Sequence, residues 1–266
     1  MIETLLAAAL VIFIYFNALY IFAQIKKDNS IVDIGWGFGF VLIAWSMLLL
    51  SNNWQTRSLL VVGLVSAWGV RLLAHIYSRN SKSGEDWRYA QWRKDWGRWV
   101  YIRAYFQIFM LQAVMMFIIS LPVIHAVTTM QSNDSAWSWL ILPGVLIWIF
   151  GFFMEAIADY HLKMHLRYGK KGLLTQGVWA FSRHPNYFGE AMQWWGIGLI
   201  SLASMETLGW NFPGCGLWVL LGPITITLLL RYVSGVPILE KKYENRKEFK
   251  EYAKKTPIFF PWFPKK

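Results

Sequence analysis

Cysteine is nearly absent. Cys215 is the sole thiol in 266 residues, so no disulfide can form within one chain, and it is expected to be a small packing residue. Charge is scarce as well: Asp, Glu, Lys and Arg make up 15% of the chain and apolar residues 56%, whereas ordinary soluble domains carry about 25% charged residues. A single water-soluble core of this size has nowhere to expose so much apolar surface. A soluble globular domain is therefore excluded, and lipid is the alternative solvent. Negative charge is scarcer than positive, with 15 acidic residues against 26 basic ones. No internal repeat or low-complexity segment stands out, and no metal site is expected. The N-terminus lacks the basic region of a cleaved signal peptide, carries Glu3 and opens a stretch long enough to span. It is read as a retained first helix.

Apolar runs long enough to cross a bilayer occur at about 5–25, 34–50, 59–76, 105–127, 137–158, 187–203 and 212–233, which predicts seven transmembrane helices. The second and sixth are short. Of the 26 Lys and Arg residues, all but Arg57 and Arg71 fall at 26–27, 79–103, 163–183 and 231–266. The loops at 130–136 and 204–211 contain none. Basic residues mark cytoplasmic segments, so the N-terminus is placed outside and the C-terminus in the cytoplasm. The net charge of +11 follows from this topology and calls for no nucleic acid partner. Trp87, Trp92, Trp96 and Trp99 suit an interfacial belt, and Phe259, Phe260, Trp262 and Phe263 suit a tail that returns to the membrane surface, in contact with membrane lipids.

Ionisable groups inside or at the edge of spans are costly and mark functional candidates. Asp33, Arg71, Glu155 with Asp159, Glu190 and Arg231 occupy such places. Glu155, Asp159 and Lys163 recur at i, i+4 and i+8, one polar stripe down a helix face. That stripe reads either as a salt-bridge ladder at a helix end or as the wall of a cytoplasm-facing pocket. The segment from Ser182 to Glu190 reads as a loop turning into a helix, with Ser182 or His184 as cap and Pro185 early in the helix, where its missing N–H is harmless. Arg183 and His184 beside the free amides of that helix start would favour phosphate. Asn186, Glu190 and Gln193 share one face, and Gly189, Gly196 and Gly198 would admit another backbone or a flat ligand.

The stretch Gly177-Val178-Trp179 through Arg183-His184-Pro185-Asn186-Tyr187-Phe188-Gly189-Glu190, followed by Trp194-Trp195-Gly196, resembles the C-terminal motif of the steroid 5α-reductase-like membrane family, more narrowly its bacterial DUF1295 branch. The likeness extends to Asp33-Ile34-Gly35-Trp36-Gly37, to Glu85-Asp86-Trp87-Arg88-Tyr89, to Glu155 with Asp159, and to Ser234-Gly235-Val236 with Glu240 and the tail at 257–264. It implies an all-α integral protein of the bacterial inner membrane acting in lipid metabolism: seven helices around a cytoplasm-facing cavity that holds NADPH, with hydride delivered to the activated C=C of an enone in a lipid-soluble substrate. The chain is then one membrane domain, 1–266, with 1–130 on the substrate side and 137–266 as the cofactor-binding part. Carried over by position, the cofactor residues are Arg71, Glu155, Asp159, Lys163, Asn186, Glu190 and Arg231, with Arg183, His184 and Tyr187 close by. The steroid enzymes also use a Gln-Glu pair and a helix-three Tyr on the substrate carbonyl. This chain has no such pair, and Trp68 stands where the Tyr would align. Asp33, Glu85, Asp86 and Tyr89 are the candidates to supply the acid instead.

Two other readings stay open. Isoprenylcysteine carboxyl methyltransferases share a similar Arg-His-Pro-x-Tyr motif around S-adenosylmethionine, which makes a membrane methyltransferase the alternative. A non-catalytic membrane protein, with the polar motifs acting as glue between helices, is the third. Substrate identity and oligomeric state are not encoded in recognisable residues, because the lipid-facing half is built of interchangeable Leu, Ile, Val and Phe.

Overall fold

The computed structural model describes residues 1–80, 84–129, 138–169, 172–203 and 216–265. Cys215, the loops at 130–136 and 204–211, and the starts of the fifth and seventh expected runs at Trp137 and Phe212 lie outside the described residues. Among those described, the secondary structure is helical, with no strand. In order the α-helices are α1 Ile2–Lys26, α2 Ile31–Ser51, α3 Thr56–Asn80, α4 Trp87–Trp96, α5 Val100–Ala104, α6 Leu111–Thr128, α7 Ile141–Arg167, α8 Pro185–Leu202, α9 Leu221–Leu228, α10 Val236–Lys241 and α11 Lys247–Lys255.

Six helical stretches are long and apolar enough to cross a membrane: Ile2–Lys26, Ile31–Ser51, Thr56–Asn80, Trp87–Thr128, Ser138–Arg167 and Gly216–Lys241. The sixth expected run is helical, as α8, but it is not one of these six; Asn186, Glu190 and Gln193 in its first half make it too polar. The stretch Trp87–Thr128 is 42 residues long. At about 1.5 Å per residue that is roughly twice a 30 Å hydrocarbon core. The excess is its polar beginning, the WRYAQWRKDW of α4, which a π-helical turn, Tyr105–Met110, separates from the apolar α6.

The chain divides into two compact units, residues 1–138 with 201–221, and 139–200 with 222–266. In the first, α2 packs against α1, α3 and α6. Glycine sets its closest approach: a Cβ on Gly37 would lie 2.6 Å from the Gly69 carbonyl oxygen, and one on Gly69 2.5 Å from that of Gly37. Small residues let membrane helices touch backbone to backbone, where dispersion has to replace the hydrophobic drive that lipid does not provide. Phe16, Phe40, Trp68 and Phe109 are fully buried in this unit, and the Tyr15 hydroxyl donates to the Gly35 carbonyl at 2.7 Å.

The second unit repeats the device between α7 and α8. Gly144 faces Gly196 and Gly151 faces Gly189; a Cβ on any of the four would sit within 2.8 Å of the opposing backbone. The pairs step two turns along each helix in opposite directions, so the helices run antiparallel with their axes close. The tail folds back on this unit: Arg183 donates its amide to the Pro257 carbonyl and Trp262 to that of Phe181. Phe259 is buried, whereas Phe260, Trp262 and Phe263 are exposed.

Candidate functional site

The start of α8 is assembled by the motif itself. A short 3-10 turn, Gly177–Ala180, leads to Ser182, whose Oγ accepts the His184 amide at 3.2 Å. Pro185 opens the helix. Arg183 does not present its fork to an anion from solution. Its Nε and Nη2 donate to the two carboxylate oxygens of Glu240 at 2.7 and 3.1 Å, and its Nη1 donates to the Ala253 and Thr256 carbonyls. The expected phosphate fork is thus a bidentate carboxylate clamp that ties α10 and the end of α11 to the α8 start. His184 Nε2 lies 3.1 Å from the same carboxylate, and its ring stacks on Tyr187 at 5.7 Å and 5°. The Tyr252 hydroxyl donates to the Trp179 carbonyl; burial holds that hydroxyl above its ordinary value.

Beyond this clamp, polar groups line the α7–α8 seam. Glu155, Asp159, Glu190 and Gln193 are buried. Gln193 Nε2 donates to Glu155 Oε2 at 2.6 Å, and Asn186 Nδ2 donates to Asp159 Oδ1 at 3.3 Å. A carboxylate only accepts, so each amide must turn its nitrogen toward its acid and its carbonyl oxygen away. Among the described residues, Asn186 Oδ1 and Gln193 Oε1 are buried without a hydrogen-bond donor. They are separated by two turns on the face of α8 that also carries Glu190. The α7 stripe expected from spacing splits at its end: Glu155 and Asp159 are buried, and Lys163 is exposed. Arg231 lies in a π-helical turn, Leu229–Val233, with its guanidinium 4.7 Å from the centre of the Tyr232 ring.

The same unit holds a half-open cavity of about 700 Å³, lined by His161, Met164 and His165 of α7, by Tyr168 just after it and by the 173–177 segment. It opens on a different face of α7 from the Glu155–Asp159 stripe. His165 Nε2 lies 3.1 Å from the Gly172 carbonyl, which holds the loop over the helix. The spacing of His161, Met164, His165 and Tyr168 was the available signal for this wall. Among the described residues, no three His, Cys, Asp or Glu side chains are arranged to hold a metal ion.

Arg71, the remaining expected cofactor contact, belongs to the first unit. That unit also gathers the four expected acids, in two linked sets. Tyr89 donates its hydroxyl to Asp33 Oδ1 at 2.5 Å, Arg88 bridges Asp33 at 2.7 Å and Asp86 at 3.0 Å, and Asp86 caps α4 by accepting the Arg88 amide. Glu85 accepts the Asn29 amide at 2.8 Å and both arms of Arg93. Burial would raise the Asp86 carboxyl, but the side-chain and backbone hydrogen bonds from Arg88 outweigh it and hold the group below the ordinary carboxylate range. The Tyr89 proton is committed to Asp33. Arg88 and Arg93, which were not among the expected acids, balance them; the Arg88 pairing shows only in the fold, since Asp33 is 55 residues away.

Residues 19–256 match the family described as "Protein of unknown function (DUF1295)". The chain is also similar to the uncharacterized protein C594.04c of Schizosaccharomyces pombe (strain 972 / ATCC 24843), with 25% identity over 227 residues; the match takes in 75% of this chain and 65% of that protein's length. No solved structure matches. With the match running through both units and both polar clusters, the chain belongs to the DUF1295 family.

Proposed function

We propose that the second unit binds NADPH and that the protein is a membrane reductase, related to the steroid 5α-reductase-like family through a bacterial branch, acting on an activated C=C of a lipid-soluble enone. The reading is carried by the α7–α8 seam, where Asn186 Oδ1 and Gln193 Oε1 are buried acceptors with no donor, each fixed by the acid that its own amide serves. Ribose hydroxyls and a nicotinamide carboxamide are the donors such acceptors suit, and a ligand that completes them recovers the cost of leaving them unmade. The residues fit the sugar and amide parts of the dinucleotide. For its phosphates, Arg231 and Lys163 are the basic side chains assigned here, because the Arg183 fork is filled by Glu240.

When bound, NADPH supplies the hydride. Glu155 and Asp159 orient the two amides, the glycine pairs hold α7 and α8 at the spacing that keeps those amides engaged, and the Arg183–Glu240 clamp fixes the start of α8. The Asp33–Tyr89–Arg88–Asp86 network is assigned a fold-holding role in the first unit, since its hydroxyl proton and charges are already partnered. In this reading α8 also crosses the membrane, which brings the crossings to seven, the cofactor cavity faces the cytoplasm, the C-terminus is cytoplasmic and the N-terminus is outside.

A second reading, an S-adenosylmethionine-dependent methyltransferase, is favoured by one observation: the Arg183 fork is satisfied by a carboxylate. A cofactor without phosphates needs no such fork, and three acidic side chains along the seam suit its positive charge.

The deciding experiment is mass spectrometry of small molecules released from the purified, detergent-solubilised protein, followed by titration of wild type and Asn186→Leu with NADPH and with S-adenosylmethionine. Recovery of NADPH or NADP, with NADPH binding weakened about tenfold or more in the variant, supports the reductase. Recovery of S-adenosylmethionine or its demethylated product moves the assignment to the methyltransferase. A protein that releases neither and binds neither overturns both.

A further inference from the structure

Arg57 plays no part in the reading above, yet it is one of the most deeply buried charged groups of the first unit, at 2% exposure. It stands in the first turn of α3. Its Nη2 donates to the Thr129 carbonyl at 3.0 Å, while Nε and Nη1 are buried with no partner among the described residues. Asn53 and Ser58 flank it. Asn53 Nδ2 donates to the Val127 and Thr129 carbonyls, and Ser58 Oγ to those of Ala126 and Val127. Because those carbonyls only accept, the Asn53 amide has one possible orientation, and its Oδ1 is left buried without a donor.

These side chains close the end of α6, but they do not balance the charge. The carboxyl end of α6 offers a partial negative charge, and the amino end of α3, on which Arg57 sits, offers an opposing positive one. No ion pair among the described residues involves Arg57. His125, whose Nδ1 lies 3.1 Å from Ser201 Oγ, brings no negative charge. A buried guanidinium without a counter-charge is among the costliest groups a membrane protein can hold.

We propose that Arg57 and Asn53 form a binding site for an oxyanion that carries its own hydrogen-bond donor, namely the phosphodiester of a phospholipid headgroup. The open Nε and Nη1 donate charge-assisted hydrogen bonds to phosphate oxygens, and Asn53 Oδ1 takes a headgroup hydroxyl or ammonium. Position selects the lipid source. α2 ends at Ser51, α3 begins at Thr56 and α6 ends at Thr128, so the cluster lies where three spans leave the hydrocarbon. Trp54, half exposed beside it, is the residue type that settles at headgroup level. Depth of burial makes the ligand slow to leave, so it survives extraction.

The test is phosphorus analysis of the full-length protein after exhaustive detergent exchange, with organic and aqueous phases of a solvent extract assayed separately for wild type and Arg57→Gln. The expected result is about one lipid phosphorus per wild-type chain and at least a tenfold loss in the variant. Phosphate in the aqueous phase, lost in the variant, keeps the oxyanion site and overturns the lipid source. Equal retention by both proteins, or no phosphorus in wild type, overturns the site. Should Arg57→Gln not fold, delipidated wild type decides: its thermal midpoint rises on adding phosphatidylglycerol, which has hydroxyl donors, but not phosphatidylcholine, which has none. An equal response to the two lipids overturns the proposal.

Discussion

The substitution Gly151→Ala measures how far the candidate site depends on a backbone contact. A Cβ there meets the Gly189 carbonyl oxygen at 2.5 Å and the Gln193 amide nitrogen at 2.9 Å, whereas ordinary contact begins near 3.4 Å. Neither neighbour is a flexible side-chain tip, so α7 and α8 must part by about 0.9 Å, the difference between the two distances. That movement stretches the Gln193–Glu155 hydrogen bond from 2.6 Å to the edge of bonding range. Overpacking costs about 1–3 kcal/mol and losing a hydrogen bond to a charged group about 1.5–3 kcal/mol. The helical preference for Ala returns up to ~1 kcal/mol. The net loss is about 1.5–5 kcal/mol, read as a fall of roughly 3–20 °C in the thermal midpoint in detergent. Gly63→Ala, on α3, is the control. Nothing lies within 4 Å of its added methyl, so only the helical gain of about 0.5–1 kcal/mol acts and the midpoint rises slightly. Equal midpoints for the two variants would refute the close-contact argument, and unaltered NADPH affinity in Gly151→Ala would separate the seam from cofactor binding.

Arg183→Lys keeps the charge but cannot span both Glu240 oxygens and the carbonyls of Ala253 and Thr256. The tail is then held less firmly, and trypsin cleavage at Lys241, Lys242 and Arg246 is expected to accelerate about tenfold, consistent with a loss near 1.4 kcal/mol; an unchanged cleavage rate counts against the clamp. Asp86 has a folded-state value below its ordinary one, so its contribution is complete above the unfolded value near ~3.9 and is lost as pH falls through the lowered folded value. Asp86→Asn preserves the helix cap but removes the charge-assisted bond. It should therefore flatten the decline in unfolding midpoint below about pH 4, and parallel acid limbs for the two proteins would show that Asp86 is not its source.

Much of the local architecture is written along the chain. Helices follow from apolar runs and the 3.6-residue period, which act over one or two turns, so the placement of Glu155 and Asp159 on one helix and the start of α8 at Pro185 need no tertiary information. The same local rule reads 187–203 as a span too, whereas α8 is not one of the six candidate spans, because Asn186, Glu190 and Gln193 lower its hydropathy. What the sequence by itself determined is therefore a helical membrane protein whose polar side chains gather at a few helix ends. It did not determine which of those side chains face each other. Arg183 next to a helix start reads as a phosphate fork until Glu240, 57 residues away, is folded onto it. Tyr89 reads as an acid until its proton is seen to serve Asp33, and Arg57 reads as a loop charge until α6 ends against it. The glycines give the physical reason. Gly63 and Gly151 are both helical glycines, alike in sequence terms, yet one faces open space and the other a carbonyl oxygen at 2.5 Å. The partner across a helix pair is set by packing between residues distant in the chain, and only the tertiary structure decides it.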